Sequence, residues 1–126
     1  MLTDEQIKAA IAELFSDDYQ PEHYDCVRIA YEWLDAQKKT KTASRGWRPY
    51  KHTVEKWGGR YVGVKDIMIA GYMHPSIIGE YPFNISKRLT LPSSSRLDGI
   101  GQARTQYYSM TDDYVRDNYK IIEADQ

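Results

Sequence analysis

Cysteine is nearly absent from this 126-residue chain, in which Cys26 is the only one. A lone thiol forms no internal disulfide, and no CxxC motif or Cys/His cluster indicates a zinc site. No apolar run reaches the roughly 18 residues that span a bilayer. The N-terminal segment is acidic and amphipathic, without the basic start and apolar stretch of a secretory signal. We therefore expect a cytoplasmic protein that has no membrane partner.

Motifs for catalysis are missing as well. The histidines at 23, 52 and 74 have neither HExxH nor HxH spacing. The serines at 93–95 have no nucleophile-elbow context, and the glycine pairs lack a phosphate-binding or dinucleotide-binding fingerprint. Cys26 falls on the apolar face of a predicted helix, where it reads as a small core residue. These absences predict a protein that is not an enzyme and that uses no metal and no cofactor.

The overall composition predicts one folded domain over residues 1–126. Hydrophobic residues make up 41% of the sequence and charged residues 28%, which suits one modest core. Tyrosine dominates the aromatic residues, with 11 Tyr against 3 Trp and 2 Phe. Its apolar ring and polar tip suit both core edges and binding surfaces. Since this supply exceeds what a small core needs, the sequence is also compatible with a homodimer.

The formal net charge of -1 conceals a strong asymmetry along the chain. Residues 1–37 hold nine acidic and two basic residues, whereas residues 38–65 hold nine basic residues and the single acidic residue Glu55. Residues 66–126 are mildly acidic, with eight acidic and six basic residues. A basic block with tryptophans and tyrosines between its cations favours nucleic acid, because cations neutralise phosphates and rings stack on bases. The alternative is that the block pairs with the acidic flanks of the same chain or with a protein partner.

The candidate contacts to nucleic acid come from the basic block and from one later pair of cations. Those expected to contact phosphate are Lys51, Lys56, Arg60, Lys87 and Arg88, and those expected to add stacking or hydrogen bonds are Trp47, Arg48 and Tyr50. Arg45 is a further candidate contact. No catalytic or metal-binding residue is assigned.

Helical periodicity and capping signals predict a helix-rich α+β fold of about five helices. The predicted helices are 4–15, 21–38, 49–57, 65–74 and 112–123, with a further short helix at 100–109. The alternation of apolar and polar residues from Phe83 to Leu91 predicts a strand, and with Ile77 and Ile78 it predicts a small β-hairpin near residues 76–91.

The order of helix, glycine-containing turn, helix and hairpin over residues 49–91 resembles a helix-turn-helix with a wing. A winged-helix-like fold is therefore one interpretation, with Lys87 and Arg88 on the wing. The helix at 65–74 argues against a standard recognition helix, because it offers few polar side chains for base edges.

Two functional hypotheses follow from these patterns. The first is a small accessory or regulatory protein that binds nucleic acid through the basic, aromatic-interleaved segment. The second is a protein-binding inhibitor that uses the acidic helices or a tyrosine-rich surface. The short, tyrosine-rich, motif-poor chain is similar in general character to small accessory proteins of phages and other mobile elements, so such an inhibitor would be an antagonist of a host defence complex.

Overall fold

Helix α2, Tyr24–Ala36, contacts more of the fold than any other element, because α1, α3, α4 and a short 3-10 helix all pack against it. The computed structural model describes residues 1–16, 18–43 and 49–125. Its other elements are α1 (Asp4–Phe15), α3 (Lys51–Gly58), α4 (Val64–Met73), β1 (Thr90–Leu91), the 3-10 helix (Ser94–Leu97), α5 (Asp112–Asn118) and β2 (Ile121–Ile122). Over these described ranges the chain is a helix-rich α+β fold, as predicted. Within them, no helix has the length and apolar character needed to cross a membrane.

Side-chain caps determine where the first two helices begin. The Thr3 hydroxyl accepts a hydrogen bond from the backbone N of Gln6, and the Gln6 side chain accepts one from the backbone N of Thr3, which forms the predicted capping box. In α2 the imidazole of His23 accepts from the backbone N of Asp25 at 2.9 Å. Because this cap satisfies an orphan N–H, α2 begins at Tyr24 and not at residue 21 as predicted.

The core is built on the indole of Trp33, which is fully buried on α2. Its ring stacks on Tyr50 with 4.8 Å between centroids, and its Nε1 donates to the hydroxyl of Tyr119 at 2.9 Å. The Tyr50 hydroxyl in turn donates to the carbonyl of Pro82 at 2.9 Å. Buried aromatic rings need such partners for their polar tips, and here the contacts join Trp33 to three other parts of the chain.

The β-hairpin predicted near residues 76–91 is wrong. The side chain of Asn84 closes the first part of this stretch into a loop, since its Oδ1 accepts from the N of Ile78 at 2.9 Å. Its Nδ2 donates to the carbonyls of Ser76 and Thr40. Backbone polar groups are thereby satisfied without a ladder inside the stretch. Without a hairpin, the winged-helix interpretation has no wing among the described residues.

The alternating residues find their strand partners elsewhere in the chain. Phe83, Ile85 and Leu89 are buried, as their period of two predicted. Ile85 forms an antiparallel bridge with Lys39, and β1 pairs in parallel with β2. The period therefore identified these three buried side chains, but not the burial of Asn84 and Thr90 or the segments that pair with the stretch.

The short helix predicted at 100–109 is also wrong. The backbone N of Arg104 donates to the carbonyl of Gly58 at 2.8 Å, and that of Gln106 donates to the carbonyl of Gly59 at 2.9 Å. The segment thus runs past the C-terminal end of α3 and satisfies carbonyls that have no partner inside that helix.

The last predicted helix, 112–123, is too long. It ends at Asn118, because the following backbone is used for sheet pairing: the N of Lys120 and the N of Ile121 both donate to the carbonyl of Leu89. The helices predicted at 49–57 and 65–74 are present, each with its ends shifted by one or two residues.

Arg96 holds the 3-10 helix against α2 and against the chain that follows β2. Its guanidinium contacts Glu123 at 2.7 Å, Asp35 at 2.9 Å and Glu32 at 3.0 Å. Hydrogen bonds from Arg96 lower the pKa of Glu123. Partial burial acts to raise the pKa of Asp35, but hydrogen bonds from His74 and Arg96 outweigh it and lower that pKa.

We expect the Arg96→Gln substitution to reduce the free energy of unfolding at neutral pH and to weaken its dependence on acid pH. Because the folded pKa of Glu123 lies below the unfolded value, the unfolded chain binds more protons. The stabilisation is complete above the ordinary glutamate pKa of about 4.3 and is lost as pH falls through the folded value. Urea denaturation across this range measures it, with Arg116→Gln as the exposed-pair control. If the free energy of unfolding of the wild type and of the Arg96→Gln variant fell identically as the pH is lowered, the stabilising role given to the Arg96–Glu123 pair would be contradicted.

The Gly71→Ala substitution tests the contact between α4 and the 76–84 loop. A Cβ at this position would lie 2.4 Å from the ring of Phe83, so the ring must move. We expect a net loss of about 1–2 kcal/mol, because overpacking exceeds the helix-propensity gain of about 1 kcal/mol. Urea unfolding measures the change, and Gly101→Ala, whose nearest neighbour is 3.9 Å away, is the control. Equal stability of the Gly71→Ala variant and the wild type would show that Phe83 is not packed as described.

Candidate nucleic-acid interface

Two basic segments that are far apart in sequence lie side by side in the fold. The backbone N of Ser86 donates to the carbonyl of Lys38 at 2.8 Å, and the N of Thr40 donates to the carbonyl of Asn84 at 2.7 Å. With the bridge between Lys39 and Ile85, these bonds pair residues 38–40 with 84–86. The pairing brings five cations to one edge of the protein, which we call the cationic edge: Lys38, Lys39, Lys41, Lys87 and Arg88.

Four of these cations have no carboxylate partner in the part of the chain that the structure describes. Lys38, Lys41, Lys87 and Arg88 are exposed, and their side chains make no ion pair within the described residues. Lys39 is half-buried; its Nζ donates to the carbonyl of Asp35 at 2.8 Å, and burial lowers its pKa. The edge therefore presents uncompensated positive charge to solvent.

The nearest acidic residues on α2 are already occupied. Glu32 and Asp35 bind Arg96, and Asp35 also hydrogen-bonds Nε2 of His74 at 2.8 Å. A carboxylate that is paired with a cation exerts a smaller net field on its surroundings, and Lys39 accordingly experiences both the negative charge of Asp35 and the positive charge of Arg96. These carboxylates consequently leave the lysines of the cationic edge available.

Two residues predicted to contact nucleic acid lie in the interior. Tyr50 is only 2% exposed, because its ring packs on Trp33, so it is not available to stack on a base. Arg60 is 3% exposed, and its guanidinium donates to Glu22, to Gln102 and to the carbonyl of Tyr61 at 2.7–2.9 Å. The burial of Tyr50 and Arg60 contradicts the surface roles predicted for them, and both side chains are instead parts of the fold.

Lys51 and Lys56 lie on α3 with partial exposure. The Nζ of Lys51 contacts Glu55 at 2.7 Å and lies 4.6 Å from the ring centroid of Tyr61. The Nζ of Lys56 donates to the carbonyl of Ser109 at 3.2 Å and lies 5.0 Å from the ring of Tyr114. Both amines thus contact neighbouring groups of the protein but remain partly exposed to solvent.

The remaining predicted contacts divide into two groups. Lys87 and Arg88 are exposed on the cationic edge, as a surface role requires. Arg45, Trp47 and Arg48 lie outside the described residues.

Lys38, Lys39 and Lys41 belong to the basic block but were not among the predicted contacts. The local density of lysine around residue 40 is the one sequence signal for them. Their proximity to Lys87 and Arg88 depends on a pairing across more than forty residues of chain, which no local pattern reports.

The thiol of Cys26 is held inside the protein. Cys26 is buried, its Sγ hydrogen-bonds the carbonyl of Tyr61, and burial raises the pKa of the thiol to about 11. A thiol with so high a pKa is a poor nucleophile at neutral pH. Across residues 1–16, 18–43 and 49–125, no group of three or more His, Cys, Asp or Glu side chains is arranged to hold a metal ion.

We expect Arg60→Ala to destabilise the fold, whereas Lys87→Ala does not. Loss of the Arg60 hydrogen bonds removes charge-assisted contacts to Glu22 and Gln102 and costs roughly 1.5–3 kcal/mol. Lys87 is an exposed cation, and its truncation changes stability by less than about 0.5 kcal/mol. Chemical denaturation of both variants measures the difference, and equal stabilities would show that Arg60 is not a structural residue.

Comparison with protein-family models, with curated proteins and with solved structures gave no match. The function of the chain therefore has to be inferred from its own residues.

Proposed function

We propose that this protein binds nucleic acid, as a small accessory or regulatory protein, through the cationic edge. The observation that carries the proposal is the pairing of residues 38–40 with 84–86, which unites Lys38 and Lys41 with Lys87 and Arg88. Clustered cations on one face attract the phosphate backbone and release its counterions.

The charge balance around the edge supports this partner. The acidic residues of the neighbouring half of α2 are engaged by Arg96 and His74, whereas the exposed cations have no such partner among the described residues. The formal net charge of the chain is -1, so the attraction is local and not a property of the whole molecule.

The composition of the edge favours binding that depends little on base sequence. Lysine contacts phosphate as a point charge, and bidentate reading of guanine is a property of arginine, of which the edge has only Arg88. Five phosphate contacts at most correspond to a slope of about -4.5 in a plot of log affinity against log salt for a duplex. The proposal assigns the protein no reaction.

A second candidate function, binding of a partner protein, is favoured by an apolar groove of about 650 Å³ beside α4. Its lining includes Leu14, Met68, Ile77, Tyr81 and Phe83. Glu80 also lines it, and Tyr72 at its rim hydrogen-bonds Glu13. Such a groove suits an apolar side chain with a basic neighbour on a partner, which is the kind of surface expected of a protein-binding inhibitor.

Replacing both Lys87 and Arg88 with Ala is expected to weaken nucleic-acid binding and to reduce its salt dependence. If both contact phosphate, the slope of log affinity against log salt decreases in magnitude by about 1.8 on a duplex. Fluorescence anisotropy of a labelled oligonucleotide over a salt series measures affinity and slope together. Lys8→Ala, which removes an exposed cation on α1, is the matched control.

An affinity that is insensitive to salt, or equal losses in the Lys8 variant and the double variant, would contradict the proposal. A protein retained stoichiometrically from a nuclease-treated lysate, and lost on Tyr72→Ala substitution, would support the second candidate.

A further inference from the structure

Three exposed tyrosines lie together beside the C-terminal end of α3. Tyr107 is 100% exposed, and Tyr61 and Tyr108 are 37% and 36% exposed. The backbone N of Tyr61 donates to Oε1 of Gln106 at 2.8 Å, which joins the two segments that carry these rings. We call this surface the tyrosine face and define it as Tyr61, Tyr107 and Tyr108.

Backbone hydrogen bonds hold the tyrosine face in place. The backbone N of Gln106 donates to the carbonyl of Gly59, and the backbone N of Arg104 donates to the carbonyl of Gly58. Gly59 has a positive φ of 70°, and a Cβ there would lie 2.7 Å from the Cα of Arg104, so the two backbones are in close contact. A fixed segment that exposes aromatic rings loses little entropy when a ligand stacks on them.

Beside the Tyr61 ring, the amine of Lys51 lies nearer the surface than its carboxylate partner Glu55. Lys51 lies 4.6 Å from the centre of the Tyr61 ring. Its partner Glu55 is 2% exposed, and the Glu55 carboxylate is bound by Lys51, by His52 and by the backbone N of Val62. An anionic ligand that approaches the rings therefore meets an amine, with the carboxylate beneath it.

Exposed rings beside amines suit nucleic acid better than a second apolar surface. Isolated exposed tyrosines are common on proteins, but three on two segments joined by a hydrogen bond, with a cation over one of the rings, provide both elements of a base-stacking site. Base faces are covered by neighbouring pairs within a duplex, so only unpaired bases stack on such rings.

We infer that the tyrosine face binds unpaired bases and that the preferred ligand of the protein is therefore single-stranded nucleic acid. This inference rests on the proposed function and specifies its ligand. Tyr107 and Tyr108 supply stacking surfaces, and Lys51 supplies positive charge beside Tyr61.

The test compares the full chain with its Tyr107→Ala/Tyr108→Ala and Tyr107→Phe/Tyr108→Phe variants. Each is titrated into a labelled oligothymidine and into a mixed-sequence duplex of the same length, with anisotropy as the readout. We expect the alanine variant to lose roughly 5- to 150-fold in single-strand affinity for each ring that stacks, with duplex affinity unchanged. The phenylalanine variant keeps the ring and is expected to bind as the wild type does. Tyr72→Ala, which removes a 51% exposed tyrosine beside the apolar groove, is the control.

The outcomes separate this inference from the proposed function. If the wild type binds neither oligonucleotide, the proposed function fails and this inference fails with it. If the wild type binds both equally and the alanine variant is unchanged, the proposed function stands and the inference is overturned. Equal losses in the phenylalanine and alanine variants would also overturn it, because the hydroxyls and not the ring faces would then be responsible. Circular dichroism of each variant shows that a loss of binding is not a loss of fold.

Discussion

The buried indole of Trp33 is the contact on which the remaining architecture depends. It joins α2 to Tyr50 by stacking and to Tyr119 by a hydrogen bond, and Tyr50 extends the chain of contacts to the carbonyl of Pro82. The loop closed by Asn84 follows directly, and its last residues pair with residues 38–40. The position of the cationic edge is thus a consequence of aromatic packing at the centre of the protein, even though no cation contributes to that packing.

Charge is distributed between interior and surface according to the partners that the fold supplies. Arg60 binds a carboxylate and an amide, Arg96 binds carboxylates, and the Glu55 carboxylate binds Lys51 and His52. Buried charges need such pairing because desolvation is costly. Lys38, Lys41, Lys87 and Arg88 on the cationic edge have no ion pair among the described residues, and the proposed binding surface therefore covers only part of the basic block and extends beyond it.

Local signals in the sequence predicted local structure, and non-local pairing decided the rest. The capping box at Thr3 and the cap at Thr111 are complete within a few residues, so the starts of α1 and α5 were predictable. The period of two around Ile85 indicated burial correctly but suggested a hairpin, because periodicity does not identify the partner strand. For the candidate site, Lys87 and Arg88 were predictable as exposed cations. The burial of Arg60 was not, because its partners Glu22 and Gln102 lie 38 and 42 residues away.

The hydrogen bond between Trp33 and Tyr119 spans 86 residues, and this has a consequence for biosynthesis. A ribosome adds about 5–20 residues per second, so the indole emerges several seconds before its partner hydroxyl. Arg96 is likewise synthesised before its partner Glu123, and β1 is synthesised before β2. During translation the nascent chain therefore has α1 to α4 available for packing while its central aromatic contact is incomplete. The period in which apolar surface is open to chaperones ends only when the residues around 119–123 have emerged.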